Sequence, residues 1–391
     1  MHSSSDTTYS QPALVSKLPQ VGTTIFTVMS RLATEYGAVN LGQGFPDFPA
    51  SAELIELVSH AMRSGHNQYA PMEGVMALRE QIAVKTEHLY GFAPNPETEI
   101  TVTSGGTEAL YAAISAVIRE GDEAIILEPC YDSYIPAIEL NGGKVVPVSL
   151  KAETYAIDWD LLRQHINAKT RLILINTPHN PTGTILTRQD IRTLAQVVKD
   201  TNIFVISDEV YEHIIFDEEP HWSVLREPEL RQRSFVVSSF GKTYHTTGWK
   251  LGYCVAPPAL TKEFRKVHQY LTFSSFTPTQ YALAEYLKTP SHFLELPHFY
   301  QQKRDYFLSL MQQTRFRMLP SKGSYFALAS YAHLSDEPDT DYAIRLTKDV
   351  SVATVPVSVF YHNRTDHRIL RFCFAKKEET LQRAVERLMK V

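Results

Sequence analysis

"RLILINTPHNPTG", residues 171–183, joins four apolar residues, Leu172 to Ile175, with no polar alternation to a turn built from His179, Asn180, Pro181, Thr182 and Gly183. A strand with one wet face alternates apolar and polar residues. A run that is apolar at every position reads as a strand covered on both faces, the pattern of parallel sheets sandwiched between helices. The same arrangement recurs along the chain. Glu99-Ile100-Thr101-Val102-Thr103 runs into Ser104-Gly105-Gly106-Thr107 and then an apolar helix from Ala109 to Ile118. Glu123-Ala124-Ile125-Ile126-Leu127 ends at Glu128-Pro129 with Tyr131 just beyond; Asn202–Ser207 ends at Asp208; Phe235-Val236-Val237 stops shortly before Lys242. Strands alternating with helices predict an α/β fold with a large, mostly parallel sheet.

Further helices are expected from Ser51, a side chain suited to capping, towards Gly65, and from about Val75 to Leu89. After about residue 290 the texture changes. A charged helix over 299–312 precedes short strands at Tyr325–Leu328 and Ile369–Phe372, and a closing helix sets Leu381, Val385 and Leu388 on one face. The predicted organisation is a large α/β domain over 48–288 and a smaller α+β domain made of 18–47 and 289–391. Residues 1–17, with a polar, Ser/Thr-rich start, are expected to form a loosely held N-terminal segment.

At 391 residues the chain is long enough for two cores. Its 38 basic against 43 acidic side chains, with a net charge of -5, give no basic surplus of the kind that nucleic acid selects. Cys130, Cys254 and Cys373 are odd in number and widely spaced, which points to neither a disulfide framework nor a zinc site and favours a reducing cytoplasm. The N-terminus lacks the pattern of a signal peptide, and no apolar run approaches the ~18 residues that span a bilayer. No metal is expected.

In an open α/β sheet, ligands bind at the carboxyl ends of the strands. The residues found there form one set: a Gly-Gly turn, Tyr131, Asn180, Asp208 and Lys242. Gly241-Lys242-Thr243 mimics the end of a phosphate-binding P-loop, but the glycine required five positions earlier is Val236, inside the strand. The set fits pyridoxal 5'-phosphate instead, which needs a lysine for its imine, an acid beside its ring nitrogen and a phosphate cup. Asp208 would hold the pyridinium proton. Asn180 and Tyr211 would bond the ring's phenolate oxygen, and Tyr131 would stack on its face. Gly105, Gly106 and Thr107 open a helix whose free N–H groups suit a phosphate, with Ser239 and Lys250 completing the cup. Lys242, freed from the imine by substrate, becomes a base, for which burial and a neighbouring cation must lower its pKa. Each residue alone has an ordinary structural reading: Asp208 as a cap, Asn-Pro-x-Gly as a plain turn, Tyr131 as core.

The stretches "NLGQGFPDFP" (40–49), "NQYAPMEGVMALRE" (67–80), "TSGGTEALYAA" (103–113), "EPCYDSY" (128–134), "NTPHNPTG" (176–183), "SDEVYEHI" (207–214), "SSFGKTYHTTGWKLGYCVAP" (238–257) and "LRFCFAKKEETL" (370–381) together resemble the fold-type I, class I/II pyridoxal phosphate aminotransferases. The likeness runs from about residue 20 to the end and is strongest to the branch of methionine, kynurenine and glutamine transaminases. It implies that Arg371 grips the substrate α-carboxylate, that Gly44 offers a backbone contact, and that Phe26 forms an aromatic wall, with Phe360 or Tyr361 as further candidates. It also implies that Tyr69 reaches the neighbouring subunit's site in a homodimer. Lys250 stands where many relatives carry arginine, keeping the charge without the fork. The implied activity is ping-pong transfer of the amino group of methionine or aromatic amino acids to a 2-oxo acid. The alternatives are a cysteine-conjugate β-lyase, kynurenine or glutamine transamination as the main activity, and a noncatalytic binding protein on the same fold.

Overall fold

Seven strands form the central sheet of the computed structural model, which describes residues 14–391. They are β1 (Ile100–Thr103), β2 (Glu123–Glu128), β3 (Lys144–Ser149), β4 (Thr170–Asn176), β5 (Phe204–Asp208), β6 (Ser234–Ser239) and β7 (Gly252–Val255), in the spatial order β1-β7-β6-β5-β4-β2-β3. Alternate side chains of the same strands enter two separate cores. Ile125, Ile173, Val205 and Val236 pack on one face, and Ala124, Leu172, Ile206 and Phe235 on the other. That is the burial an uninterrupted apolar run demands.

The strands β2 to β6 pair in parallel, whereas β7 runs against both β6 and β1. Neither β3 nor β7 stands out in the sequence. The antiparallel turn has a simple cause: only the short helix Phe240–Thr243 and one 3₁₀ turn, Thr247–Trp249, separate β6 from β7. A parallel return needs a longer crossover. The consequence is functional, because the amino end of β7 lies at the same sheet edge as the carboxyl ends of the others. Lys250, two residues before β7, is thereby brought to the edge where Asp208 and Ser239 emerge.

Ser51 caps the helix Ala52–Arg63 by accepting the Leu54 N–H. The helix after β1 begins at Gly106 and ends at Val117, so the Gly-Gly turn is its amino terminus. A second, antiparallel sheet has the order Val355–Pro356, Ile369–Cys373, Phe326–Ser330, Arg317–Met318, and Val39–Asn40 pairs in parallel with Val352–Ala353. Leu381, Val385 and Leu388 of the closing helix are buried, as the spacing predicts. Of the expected N-terminal segment, residues 1–13 lie outside the described residues. Among the described residues no helix is long and apolar enough to cross a membrane.

Candidate active site

The edge formed by β1, β2, β4, β5, β6 and the start of β7 opens into a cavity of about 280 Å³. Gly105, Gly106 and Thr107 line one end with Ser239 and Lys250; Asp208, Tyr211, Tyr131 and Asn180 line its middle; Lys242, Gly44, Phe26 and Arg371 line the rest. Two of these positions require glycine. Gly105 has φ +86°, and a side chain on Gly44 would meet the Phe326 ring at 2.7 Å.

The segment 207–214 shows how local sequence aims the chemistry. Asp208 and Tyr211 face the cavity, while Glu209 and Glu212 are buried behind it. Glu209 accepts from the Ser207 hydroxyl (2.8 Å) and the Val224 N–H (3.1 Å). Glu212 accepts from the Lys85 ammonium (2.6 Å) and from the Tyr90 and Tyr253 hydroxyls. Burial opposes ionisation of Glu212, but Lys85, His213 and these hydrogen bonds hold its carboxyl far below the usual range. The two anchored glutamates fix the backbone that presents Asp208 and Tyr211.

Asp208 ends β5 and is buried. Burial pushes its pKa up to about 6, against the Tyr134 hydroxyl (2.6 Å), the Val210 N–H (3.2 Å) and the Lys242 charge. Lys242 donates to the Tyr325 hydroxyl (2.8 Å) and to the Gly44 carbonyl (3.2 Å). Burial lowers its pKa to about 8; Arg371 and Lys250 push the same way, and Cys373 and Asp208 oppose them. An amine so placed exchanges a proton near neutral pH. Arg371, in the strand Ile369–Cys373, donates to Asn180 Oδ1 (2.7 Å) and the Gly42 carbonyl (3.1 Å). Its guanidinium lies 3.9 Å from the Phe326 ring centroid, 5.0 Å from Phe360 and 5.3 Å from Phe26. Its buried Nε has no acceptor among the described residues.

Residues 36–388 match the family described as aminotransferase class I and II. The chain belongs to that family. Methionine aminotransferase of Escherichia coli (strain K12) is 53% identical over 374 residues, covering 95% of this chain and 97% of the relative. The crystal structure of YbdL from Escherichia coli, whose description identifies a methionine aminotransferase function, superposes with a TM-score of 0.95 at 52% identity, covering 97% of this chain and all of that one. Human kynurenine–oxoglutarate transaminase 1 is 32% identical over 92% of this chain and 94% of its own length.

This aminotransferase is pyridoxal phosphate-dependent, as its family is, and the cavity's chemistry suits that cofactor. Lys242, Lys250 and Arg371 outnumber the single lining carboxylate, Asp208, so the cavity is built for anions. The first amides of the helix Gly106–Val117 have no intrahelical acceptors and carry the positive end of its dipole. The unpartnered Arg371 Nε is a further buried donor. A phosphate at the helix end and a carboxylate beside Arg371 would satisfy all three features, and a protonated ring nitrogen would suit Asp208.

Tyr69 does not line this cavity. It is 81% exposed, with its ring edge-on to Phe273 at 5.2 Å. Phe360 and Tyr361 also lie outside the lining. Phe360 packs behind Phe26 at 6.0 Å, and Tyr361 is buried against His367. Neither lines the cavity as the anticipated wall; Phe360, at the end of the 3₁₀ turn Val357–Phe360, packs against the Arg371 guanidinium instead. Sequence reasoning missed Tyr134, Tyr325, Asn176 and Phe326. Asn176 links two parts of the site by donating to the Asp208 carbonyl (2.8 Å) and accepting the Asn180 N–H (2.8 Å). Tyr134 sits inside the quoted "EPCYDSY" and was legible as a second tyrosine there; Tyr325, from the small antiparallel sheet's approach, carried no signal.

Proposed function

We propose that this aminotransferase takes the amino group preferentially from methionine and aromatic amino acids and delivers it to a 2-oxo acid in two half-reactions. The observation that carries this is the placement of Lys242 between Asp208, Tyr325 and Arg371, beneath a wall of Phe26, Tyr131 and Phe326. Relatives named for methionine and kynurenine support it. In this reading Gly105, Gly106, Thr107, Ser239 and Lys250 hold the cofactor phosphate, Asp208 its ring nitrogen, and Asn180 and Tyr211 its phenolic oxygen. Pyridoxal phosphate supplies an electron sink and carries the amino group between the half-reactions. The protein's own residues do the rest. Arg371 orients the substrate carboxylate with a bidentate fork. Lys242 Nζ takes and returns the Cα proton, and Tyr325 and the Gly44 carbonyl hold that amine in place. The aromatic wall favours a thioether or aryl side chain through sulfur–aromatic and ring contacts.

Half-reaction rates across methionine, phenylalanine, tyrosine and aspartate test this directly. Methionine is expected to exceed aspartate by at least about tenfold in kcat/KM, since the wall offers the second carboxylate no partner. Equal or faster aspartate turnover rejects the specificity.

A homodimer with shared sites belongs to the same proposal. Tyr69 packs edge-on against Phe273, and both rings are exposed, the kind of surface that marks association. Mixing Lys242→Ala and Tyr69→Ala chains should create hybrid dimers with one intact site and raise activity above that of either parent. No gain in verified hybrids rejects a Tyr69 contribution across the interface. The division into a large unit over 48–288 and a smaller one from 18–47 and 289–391 is also proposed, supported by the confinement of the seven-stranded sheet to 100–255 and of the four-stranded sheet to 317–373. A cytoplasmic location fits the three buried, unpaired cysteines.

A further inference from the structure

Behind the phosphate end of the cavity lies a pair that the mechanism above does not use. Glu108 sits in the first turn of the helix Gly106–Val117, and its Oε2 accepts the Ser104 N–H at 3.0 Å. This bond ties down the residue before Gly105 and holds the turn in the shape that leaves the Gly105, Gly106 and Thr107 amides facing the cavity. A carboxylate is the right acceptor for that task and the wrong charge for that place. It shares the helix end with the site of a phosphate, and like charges repel across a poorly hydrated interior.

His268, from the helix Pro258–Leu271, resolves the conflict. Its side chain is fully buried; Nδ1 lies 2.9 Å from Glu108 Oε1 and Nε2 lies 3.0 Å from the Met72 carbonyl. Because a carbonyl can only accept, Nε2 carries a hydrogen, and the bond between Nδ1 and Glu108 needs one more proton. Whether that proton rests on the ring or on the carboxyl, the Glu108–His268 pair has no net charge. The bond to Met72 fixes the ring's orientation.

Resting on the assignment of Gly105–Thr107 to the cofactor phosphate, we propose that His268 is a positioning residue for phosphate binding, acting through Glu108: it cancels the charge of a carboxylate that the Gly105 turn requires as an acceptor.

Equilibrium titration of the cofactor-free protein tests this, with pyridoxal phosphate, inorganic phosphate and phosphate-free pyridoxal as probes. His268→Gln is expected to raise the Kd of both phosphate-bearing probes by about 10- to 100-fold and to leave pyridoxal nearly unchanged. Adding Glu108→Gln to His268→Gln should recover most of the loss, since the amide oxygen still accepts from Ser104 without a charge. Glu108→Gln alone, which keeps the buried ring, should bind pyridoxal phosphate within about threefold of the parent. An equal loss for pyridoxal, a double variant as weak as or weaker than His268→Gln, or an unaltered phosphate affinity in His268→Gln would each overturn the proposal in favour of simple packing. If His268→Gln does not fold, a Glu108→Gln protein that binds phosphate more than tenfold more weakly overturns it alone. Failure of the parent protein to bind pyridoxal phosphate strikes the underlying functional reading instead, so the two failures are distinguishable.

Discussion

Lys242→Ala is expected to lower the rate of both half-reactions by at least about 10⁴-fold, the scale on which a positioned base and covalent anchor act. The reason is placement as well as residue type. Lys250 also lines the cavity, but its amine lies against Gly105, 3.5 Å from where a Cβ would stand, whereas the Lys242 amine is held by Tyr325 and Gly44. The loss is not to be an unfolding effect, and the pKa shift supplies the control. Lys242 falls from 10.5 to about 8 on burial, so between these values the unfolded chain binds more protons than the native one. Stability therefore rises with pH across that window, and below about 8 the buried charge costs up to about 3 kcal/mol. Removing the charge offsets the small hole that alanine leaves. The cofactor-free Lys242→Ala protein should melt no lower than the parent at pH 7, and its advantage should shrink as pH approaches 10. Stopped-flow turnover and thermal melts at two pH values check both halves. Activity within tenfold of the parent would remove Lys242 from the role of base.

Arg371→Ala should reduce kcat/KM for amino acid substrates by about 10³-fold, the worth of two charge-assisted hydrogen bonds to a carboxylate. Arg371→Lys should recover only part of this, because an ammonium keeps the charge but not the planar fork. Burial lowers the Arg371 pKa to about 10, against the pull of Tyr211, Cys373, Tyr325 and Asp132, so the guanidinium remains charged at neutral pH. The substitution also has a structural cost. Phe326 and Phe360 pack on the guanidinium, and Asn180 Oδ1 accepts from it. Alanine would leave a hole among the rings and an unpaired amide oxygen, destabilising by about 2–4 kcal/mol. Steady-state kinetics with methionine, together with melts, separate the two effects. A kcat/KM within tenfold of the parent in a folded Arg371→Ala protein would mean that another group holds the carboxylate.

Most parts of the site that were legible from the residues themselves share one property: each ends or follows a buried strand in sequence. An apolar run ending at Asp208, another ending before Lys242, and a Gly-Gly turn before a helix can be read one residue at a time, because strand ends are local events and a parallel sheet gathers them on one edge. Tyr325 had no such marker. It meets Lys242 across 83 positions and Gly44 across 281, and nothing in "SYFAL" distinguishes a hydroxyl aimed at an amine from a core tyrosine. Phe360 and Tyr361 were misplaced for the same reason, since aromatic residues near a site in sequence line it only if the backbone turns them inward. Tyr69 was legible only through family likeness, and a single chain leaves it on the surface.

By itself, then, the sequence determined the α/β class, the edge where chemistry occurs and the residue types gathered there, because continuous apolar runs and helix-opening glycines obey short-range rules of burial and hydrogen bonding. The tertiary structure alone decided how those groups are tuned. The lowered amine of Lys242, the raised carboxyl of Asp208, the rings packed around Arg371 and the contact between Glu108 and His268 all depend on burial or on partners remote in the chain. Burial and distance set those energies, and neither is written in the order of residues.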